Sequence, residues 1–239
     1  MAHVEPMEMV PEPSSGRVFG APATPGIADV NGEGRSRVDA IARWLQEVAR
    51  QDLQDAGFEG RGVWIVRRTR IAVRSFPRYG DQLELRTFCS GIGRFSAERR
   101  TSIRGGAADV QAVSRWICFD PAGSRPQRFD EDFNAAYEQA AGGRGANVRV
   151  RHPDPPADAE ASPWLFRATD LDIAGHVNNT HYWAPFEQDL LEGPEPGSFD
   201  GEVEHREAAA AGEAVRLRAG PMSWIASRTG EVHASLLSL

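Results

Sequence analysis

There is not one lysine among the 239 residues; all 27 basic side chains are arginine, a compositional bias to which no functional weight attaches. Cysteine is almost as scarce. Cys89 and Cys118 sit in apolar, strand-like stretches, "LRTFCSG" and "SRWICFD". They read as two buried free thiols in a reducing cytosol, which sets aside a disulfide framework and a thiol nucleophile. No CxxC or HExxH spacing occurs, so no metal is expected. No apolar run approaches the roughly 18 residues of a membrane span. Residues 1–16, "MAHVEPMEMVPEPSSG", have neither the basic nor the apolar region of a secretory signal. Acidic and proline-bearing, they read as a disordered tail, and the expected location is cytoplasmic. A net charge of −7 speaks against general nucleic-acid affinity.

What is present is ordinary for a globular chain, with 41% hydrophobic and 26% charged residues, enough for a proper core. The length suits one large domain or two smaller ones. From Ser36 to Gly57 the apolar positions Val38, Ile41, Leu45, Val48 and Leu53 recur at helical spacing, with Ser36 as N-cap and Gly57 as stop. Four strand-like stretches follow: "GVWIVRRTRIAV", "DQLELRTFCSG", "FSAERRTSIRG" and "ADVQAVSRWICFD". A glycine- and proline-rich linker spans 141–162. The order then repeats, with "PWLFRAT", a helical "NNTHYWAPFEQDLLEG" and four closing strands.

The repeat is visible in residues as well. "ADVNGEGRSRVDAIARWLQ" from Ala28 lines up without gaps on "TDLDIAGHVNNTHYWAPFE" from Thr169. Asp29 falls on Asp170, Asn31 on Asp172, Gly34 on Gly175 and Arg35 on His176. The reading is two copies of one helix-and-meander unit: a tail at 1–16, an N-terminal domain at 17–140, the linker, and a C-terminal domain at 163–239.

In the second copy, "TDLDIAGHVNNTHYW" packs acids, a histidine and two asparagines just ahead of a helix. A helix N-terminus exposes unpaired N–H groups and the positive end of its dipole. Such groups stabilise an oxyanion. Gly175 permits close backbone approach, and Asn178 or Asn179 can cap the first turn. Asp172 and His176 flank the turn. The parts suit acyl-group hydrolysis, but they fit a merely capped helix equally well.

The same segment resembles the active-site segment of the hotdog-fold acyl-acyl carrier protein thioesterases, whose pattern is near D-L-D-x-N-x-H-V-N-N-x-x-Y. "WIVRRTRIAVRSFPRYGDQLELRTFC" and "VEHREAAAAGE" resemble two further stretches of that family, in the right order. The resemblance implies an α+β double hotdog, two tandem sheets each wrapped on a helix, that hydrolyses fatty acyl thioesters without cofactor or metal. Asp172 and His176 take the places of the family's catalytic aspartate and histidine. Backbone N–H groups from Gly175 to Val177, with Asn178 and Asn179, would bind substrate. Two positions depart: the family's asparagine is Ala174, and its later glutamate and cysteine fall on Ala208 and Ala209. Glu207 is one residue off, on the other strand face. The first copy would shape the acyl pocket and carry no chemistry.

The implied partner is an acidic acyl carrier protein, with CoA thioesters as the rival substrate and a non-catalytic acyl-binding protein as the rival class. A homodimer of double-hotdog protomers is also an expectation. In "VWIVRRTRIAVR" the residues Arg68, Arg70 and Arg74 share one strand face, opposite Ile65, Ile71 and Val73; Arg100 and Arg104 share a face of a later strand. This surface either docks the carrier or is a solvated sheet face.

Overall fold

The computed structural model describes residues 5–123 and 125–239. Ten strands form one antiparallel sheet: β1 (Phe19–Ala23), β2 (Val63–Ser75), β3 (Leu83–Ile92), β4 (Ser96–Gly105), β5 (Ala108–Phe119), β6 (Glu160–Phe166), β7 (Phe199–His205), β8 (Gly212–Ala219), β9 (Met222–Ser227) and β10 (Val232–Ser238). Their spatial order is β1-β3-β4-β5-β2-β7-β10-β9-β8-β6. Outward from the β2–β7 junction, each half therefore reads in the same order. The junction pairs Arg68 with Glu204 and Val73 with Phe199. This is the double hotdog: two five-stranded units joined edge to edge, so that neither leaves its central strand as an open edge.

The helix α1 (Val38–Asp55) buries Val38, Ile41, Leu45 and Val48 on one stripe. In the second half the equivalent helix opens as a 3-10 run, Asn179–Trp183, before α3 (Ala184–Glu192). Pro185 sits in the first turn of α3, where its fixed φ suits a helix start. Both helices pack into one core. Val38, Ile41 and Leu45 share it with Tyr182, Trp183 and Phe186, so the two halves have a common apolar interior.

Two elements add to the sequence reading. β1 is a short edge strand, and α2 (Glu131–Ala141) closes the region assigned to the first domain and ends one residue into the expected linker. Asp130 caps α2 by accepting from the Phe133 N–H at 2.8 Å. Its Phe133 and Tyr137 pack with Phe58, Cys89 and Ala97 in a satellite cluster. β6 also starts three residues earlier than position 163, at Glu160. Both cysteines are buried and free, as expected, and burial pushes each thiol up to about 11.

The N-terminal expectation fails. Residues 1–4 lie outside the described residues, but from Glu5 onward the segment is a strap across the outer face of the sheet. Met7 is 2% exposed, and its N–H donates to Glu202 at 3.0 Å. Arg68 donates to the Glu5 carbonyl, Arg70 to that of Met7 and Arg100 to that of Val10. Glu12 pairs with Arg86 at 2.6 Å and Glu8 with Arg144 at 3.0 Å. A short acidic segment that looks disordered alone finds arginines arranged by strands far along the chain.

The strap also corrects the docking surface. Arg68 is 1% exposed and paired with Glu202 and Glu204, and Arg70 pairs with Asp200 at 2.7 Å. Arg100 is buried under Val10. Of that strand face only Arg74 stays exposed, 3.6 Å from Asp109; Arg104, also exposed, is 3.3 Å from the same carboxylate. The face assignment needs one change too. A β-bulge between Val66 and Arg68 inserts Arg67, so Val66 points inward with Ile71 and Val73 and Ile65 points out.

Candidate active site

The two pre-helix turns are built on the same hydrogen bonds, at a constant offset that sets Asn31 on Asp172. In the first, the Asn31 N–H donates to the Arg35 carbonyl at 2.8 Å, Gly34 to Asn31 at 3.1 Å, and Arg37 to Asp29 at 2.8 Å. In the second, Asp172 donates to His176 at 2.9 Å, Gly175 to Asp172 at 3.0 Å, and Asn178 to Asp170 at 2.9 Å. Isolated bridges Val30–Ser36 and Leu171–Val177 close both. Gly34 and Gly175 have φ of +76° and +75°, where a Cβ would be strained. Asp29 and Asp170 each accept from a backbone N–H three residues back, at 2.9 and 2.8 Å. That makes Asp170 a turn-former.

Asp172 accepts from the Ala174 N–H through Oδ1 at 2.9 Å, as Asn31 accepts from Glu33 and Arg35. The second carboxylate oxygen and the exposed His176 ring make no hydrogen bond among the described residues. The backbone thus sets Asp172 opposite His176 across the turn and leaves both side chains with unused capacity.

The donors expected for an oxyanion are differently distributed. The Gly175 N–H is committed to Asp172 and that of Val177 to the Ala209 carbonyl at 2.9 Å. Neither has a hydrogen to spare. Asn178 is the N-cap and accepts from the N–H and the hydroxyl of Thr180, both at 2.9 Å. The Asn179 N–H, the next along the helical run, donates to no acceptor among the described residues.

The Val177–Ala209 bond places the later-strand positions beside the turn. Its first-half counterpart runs from Ser36 to Pro77 at 2.9 Å, which sets Phe76 on Ala208. Glu207 is exposed and lies beyond the end of β7, so it supplies no strand-borne carboxylate.

The two turns differ sharply in filling. Arg35 is fully buried; its guanidinium lies 4.7 Å from the Phe76 ring centroid and pairs with Glu187 at 2.6 Å and Glu195 at 2.9 Å. Glu187 also accepts from the Val38 N–H at 2.9 Å, capping α1 from the other half of the molecule. This is why the helix starts at Val38 without using Ser36. In the second half the matching residues are His176, Ala208 and Gln46, and the space is open. The signal for Gln46 was in the sequence: it ends the gapless alignment, opposite Glu187.

Below the second turn Gln46, Trp116, Asn179, Thr180 and His205 line a cavity of about 20 Å³. His205 is buried and held neutral, its pKa pushed down to about 3 by burial and then by Arg67. Gln46 and Trp116 also line a neighbouring cavity of about 210 Å³, walled by Leu53, Trp64, Ala97 and Phe133. A larger open groove of about 1030 Å³ beside β6 and β8 meets the turn only at Asp170 and carries Arg167, Glu213 and Arg228. The 210 Å³ cavity is mainly apolar with Glu47, Arg50 and Arg99 on its lining, and it shares Gln46 and Trp116 with the small cavity that Asn179 lines.

Away from the turn, His152, Glu202 and Glu204 bring metal-ligand atoms within 4.8 Å of one another. Their capacity is already used. Arg68 bonds Glu202 and lies 3.2 Å from Glu204, the Arg151 and His152 N–H groups donate to Glu204, and His152 Nδ1 is 3.0 Å from Ser235 Oγ. The arrangement clasps strap and linker to the sheet, with Arg68 supplying the positive charge.

Residues 25–137 match the family model described as the acyl-ACP thioesterase N-terminal domain. A Mycobacterium tuberculosis protein of uncharacterised function is 27% identical over 215 residues, 89% of this chain and 86% of that protein. Oleoyl-acyl carrier protein thioesterase 1 of Arabidopsis thaliana chloroplasts is 26% identical over 179 residues, 64% of this chain; the match spans 49% of the plant protein's length. Among solved structures, an acyl-ACP thioesterase from Bacteroides thetaiotaomicron superposes with a TM-score of 0.74 at 15% identity, over 93% of this chain and 97% of that one. The 12:0-ACP thioesterase of Umbellularia californica superposes at 0.70 and 18% identity, over 92% and 96%. No helix among the described residues is long and apolar enough to cross a membrane.

Proposed function

We propose, from a chain whose residues 25–137 match the acyl-ACP thioesterase N-terminal family model, that it is a thioester hydrolase of that family and frees fatty acids from acyl carrier protein. The carrier and the roles of individual residues are the proposal's own. Asp172 takes a proton from water, whose oxygen attacks the thioester carbonyl carbon. The C–S bond breaks and the thiol leaves with a proton, giving free acid and carrier thiol. His176, across the turn, orients the thioester and passes that proton. Direct attack by Asp172 would pass through a mixed anhydride with the same products. The Asn179 N–H faces the developing oxyanion, in place of Gly175 and Val177.

The observation that carries this reading is the contrast between the turns: the same backbone is plugged by Arg35, Phe76 and Glu187 in one half and left open in the other. The acyl chain lies in the 210 Å³ cavity of the first repeat. A dry cavity of about 150 Å³ holds benzene, so this one encloses on the order of eight carbons. The missing carboxylate at Ala208 favours a second reading, an acyl-binding protein without turnover; CoA thioesters are the rival substrate.

Asp172→Asn tests the mechanism cleanly, because Asn31 already forms the same turn in the first repeat. The melting temperature should hold while turnover of acyl-carrier substrate, read by free-thiol release, falls about 10²–10⁴-fold. Full activity in the folded variant rejects the mechanism. Wild-type protein that binds acyl thioesters tightly and releases no thiol establishes the second reading.

A further inference from the structure

We propose that Gln46, on the first-repeat helix, is a substrate contact of the second-repeat site: its side-chain amide donates to the thioester carbonyl oxygen. The proposal rests on the thioester-hydrolase reading and adds to it a residue from the half expected to carry no chemistry.

The pseudo-symmetry of the chain carries the argument. The alignment that sets Asn31 on Asp172 sets Gln46 on Glu187, Arg35 on His176 and Val38 on Asn179. Glu187 crosses to the opposite half, where its carboxylate accepts from Arg35 at 2.6 and 3.2 Å and from the Val38 N–H at 2.9 Å. The first repeat therefore holds a carboxylate of its own where an acyl oxygen would sit in the second. Gln46 makes the reciprocal crossing, since it lines one cavity with Asn179 and Thr180 of the second repeat.

Three features distinguish the second position as a binding site. The Gln46 amide is half-buried and makes no hydrogen bond among the described residues. His205, 7% exposed, and Trp116 line the same cavity, and their Nδ1 and Nε1 atoms are buried without partners. Buried polar atoms are normally paired, so two unpaired ones on residues lining the same small cavity mark a place for a polar ligand atom. The cavity, about 20 Å³, holds a single oxygen-sized group. Finally, an amide can donate to a carbonyl oxygen and to the oxyanion that follows, whereas the carboxylate of Glu187 can only accept.

The test uses Gln46→Leu and Gln46→Glu in the full chain. Turnover is measured on acyl-carrier substrate, together with binding of a ketone analogue of octanoyl pantetheine in which a methylene replaces sulfur. Isotope-edited infrared reads its carbonyl stretch. Turnover should fall about 10²–10³-fold in Gln46→Leu, as for loss of one oxyanion donor, and at least as far in Gln46→Glu. The bound carbonyl stretch should rise in both, at unchanged melting temperature. If either variant fails to fold, the other supplies the reading. A stretch and a turnover indifferent to residue 46 overturn the proposal, as does absence of ketone binding to wild type. A wild type that turns over nothing but binds the ketone with a stretch dependent on residue 46 sinks hydrolysis and keeps the contact.

Discussion

In the first repeat Arg35 is wholly enclosed beneath a carboxylate sent from the other half of the chain; in the second, His176 stands in solvent at the same position of the same turn. The hydrogen bonds around the two are near copies. Backbone geometry therefore does not make a site here, since both halves have it. What differs is volume and charge: Phe76 against Ala208, Glu187 against Gln46. In a symmetric dimer of identical chains Glu187 and Gln46 would be one residue, and no single choice could both plug one site and equip the other. Fusing the halves frees the two positions to differ, so that one turn is plugged and the other left open.

The most severe way to break the contrast is to plug the open turn. Ala208→Phe recreates the first-repeat wall, and displacement of substrate by about an ångström can cost about 10²-fold. Turnover should drop by that order with the fold intact in circular dichroism. Undiminished turnover would mean that the opening at Ala208 is not where the thioester passes.

Unplugging the closed turn should act on stability. Glu187→Leu leaves Arg35 buried with only the half-exposed Glu195 as counter-charge. Breaking a buried pair from one side costs about 3–5 kcal/mol. Urea denaturation should show that loss. A change below about 0.5 kcal/mol would mean the pair is not a plug.

The smallest effect comes from the clasp under the strap. Burial pushes the Glu202 carboxyl up, but His152 and Arg68 outweigh this and hold it below its ordinary value of 4.5. A depressed carboxylate contributes stability above its unfolded pKa, and the contribution is lost as pH falls through the folded one. Wild type should therefore lose stability steadily below pH 4.5, and Glu202→Gln should show a shallower acid limb. Parallel limbs in urea midpoints measured across that range would show that Glu202 does not contribute.

Most of the architecture was legible because period and repeat are local properties. The α1 stripe, the strands and the register of Asn31 on Asp172 all follow from neighbouring residues. α2 had a readable signal as well, an Asp130 cap and Phe133, Tyr137 and Ala140 at helical spacing. β1, "FGAPA", carries a glycine and a proline and is a strand only because β3 pairs with it. The turn was legible where its own residues make it, with Asp172 and His176 bonded across it through the backbone and Asn178 as the cap. It was misread where distant partners decide: Val177 is claimed by Ala209, and α1 is capped by a residue 149 positions away. Arg68 and Arg70 looked like a surface because their partners, Glu202 and Asp200, lie on the far side of the linker.

The strap has a bearing on how the chain comes into being. Its Met7 N–H meets Glu202 across 195 positions, so this segment is made well before the partner that fixes it and is among the last to find its place. At roughly 5–20 residues per second, the ribosome needs on the order of 10–40 s to deliver that partner. Between the completion of β5 at Phe119 and the emergence of β7 from Phe199, β2 has β5 on one side and an open edge on the other. An unpaired strand edge invites foreign strands. Arg68 and Arg70 then have a second use: until Asp200, Glu202 and Glu204 arrive with β7, their charges keep that waiting edge soluble.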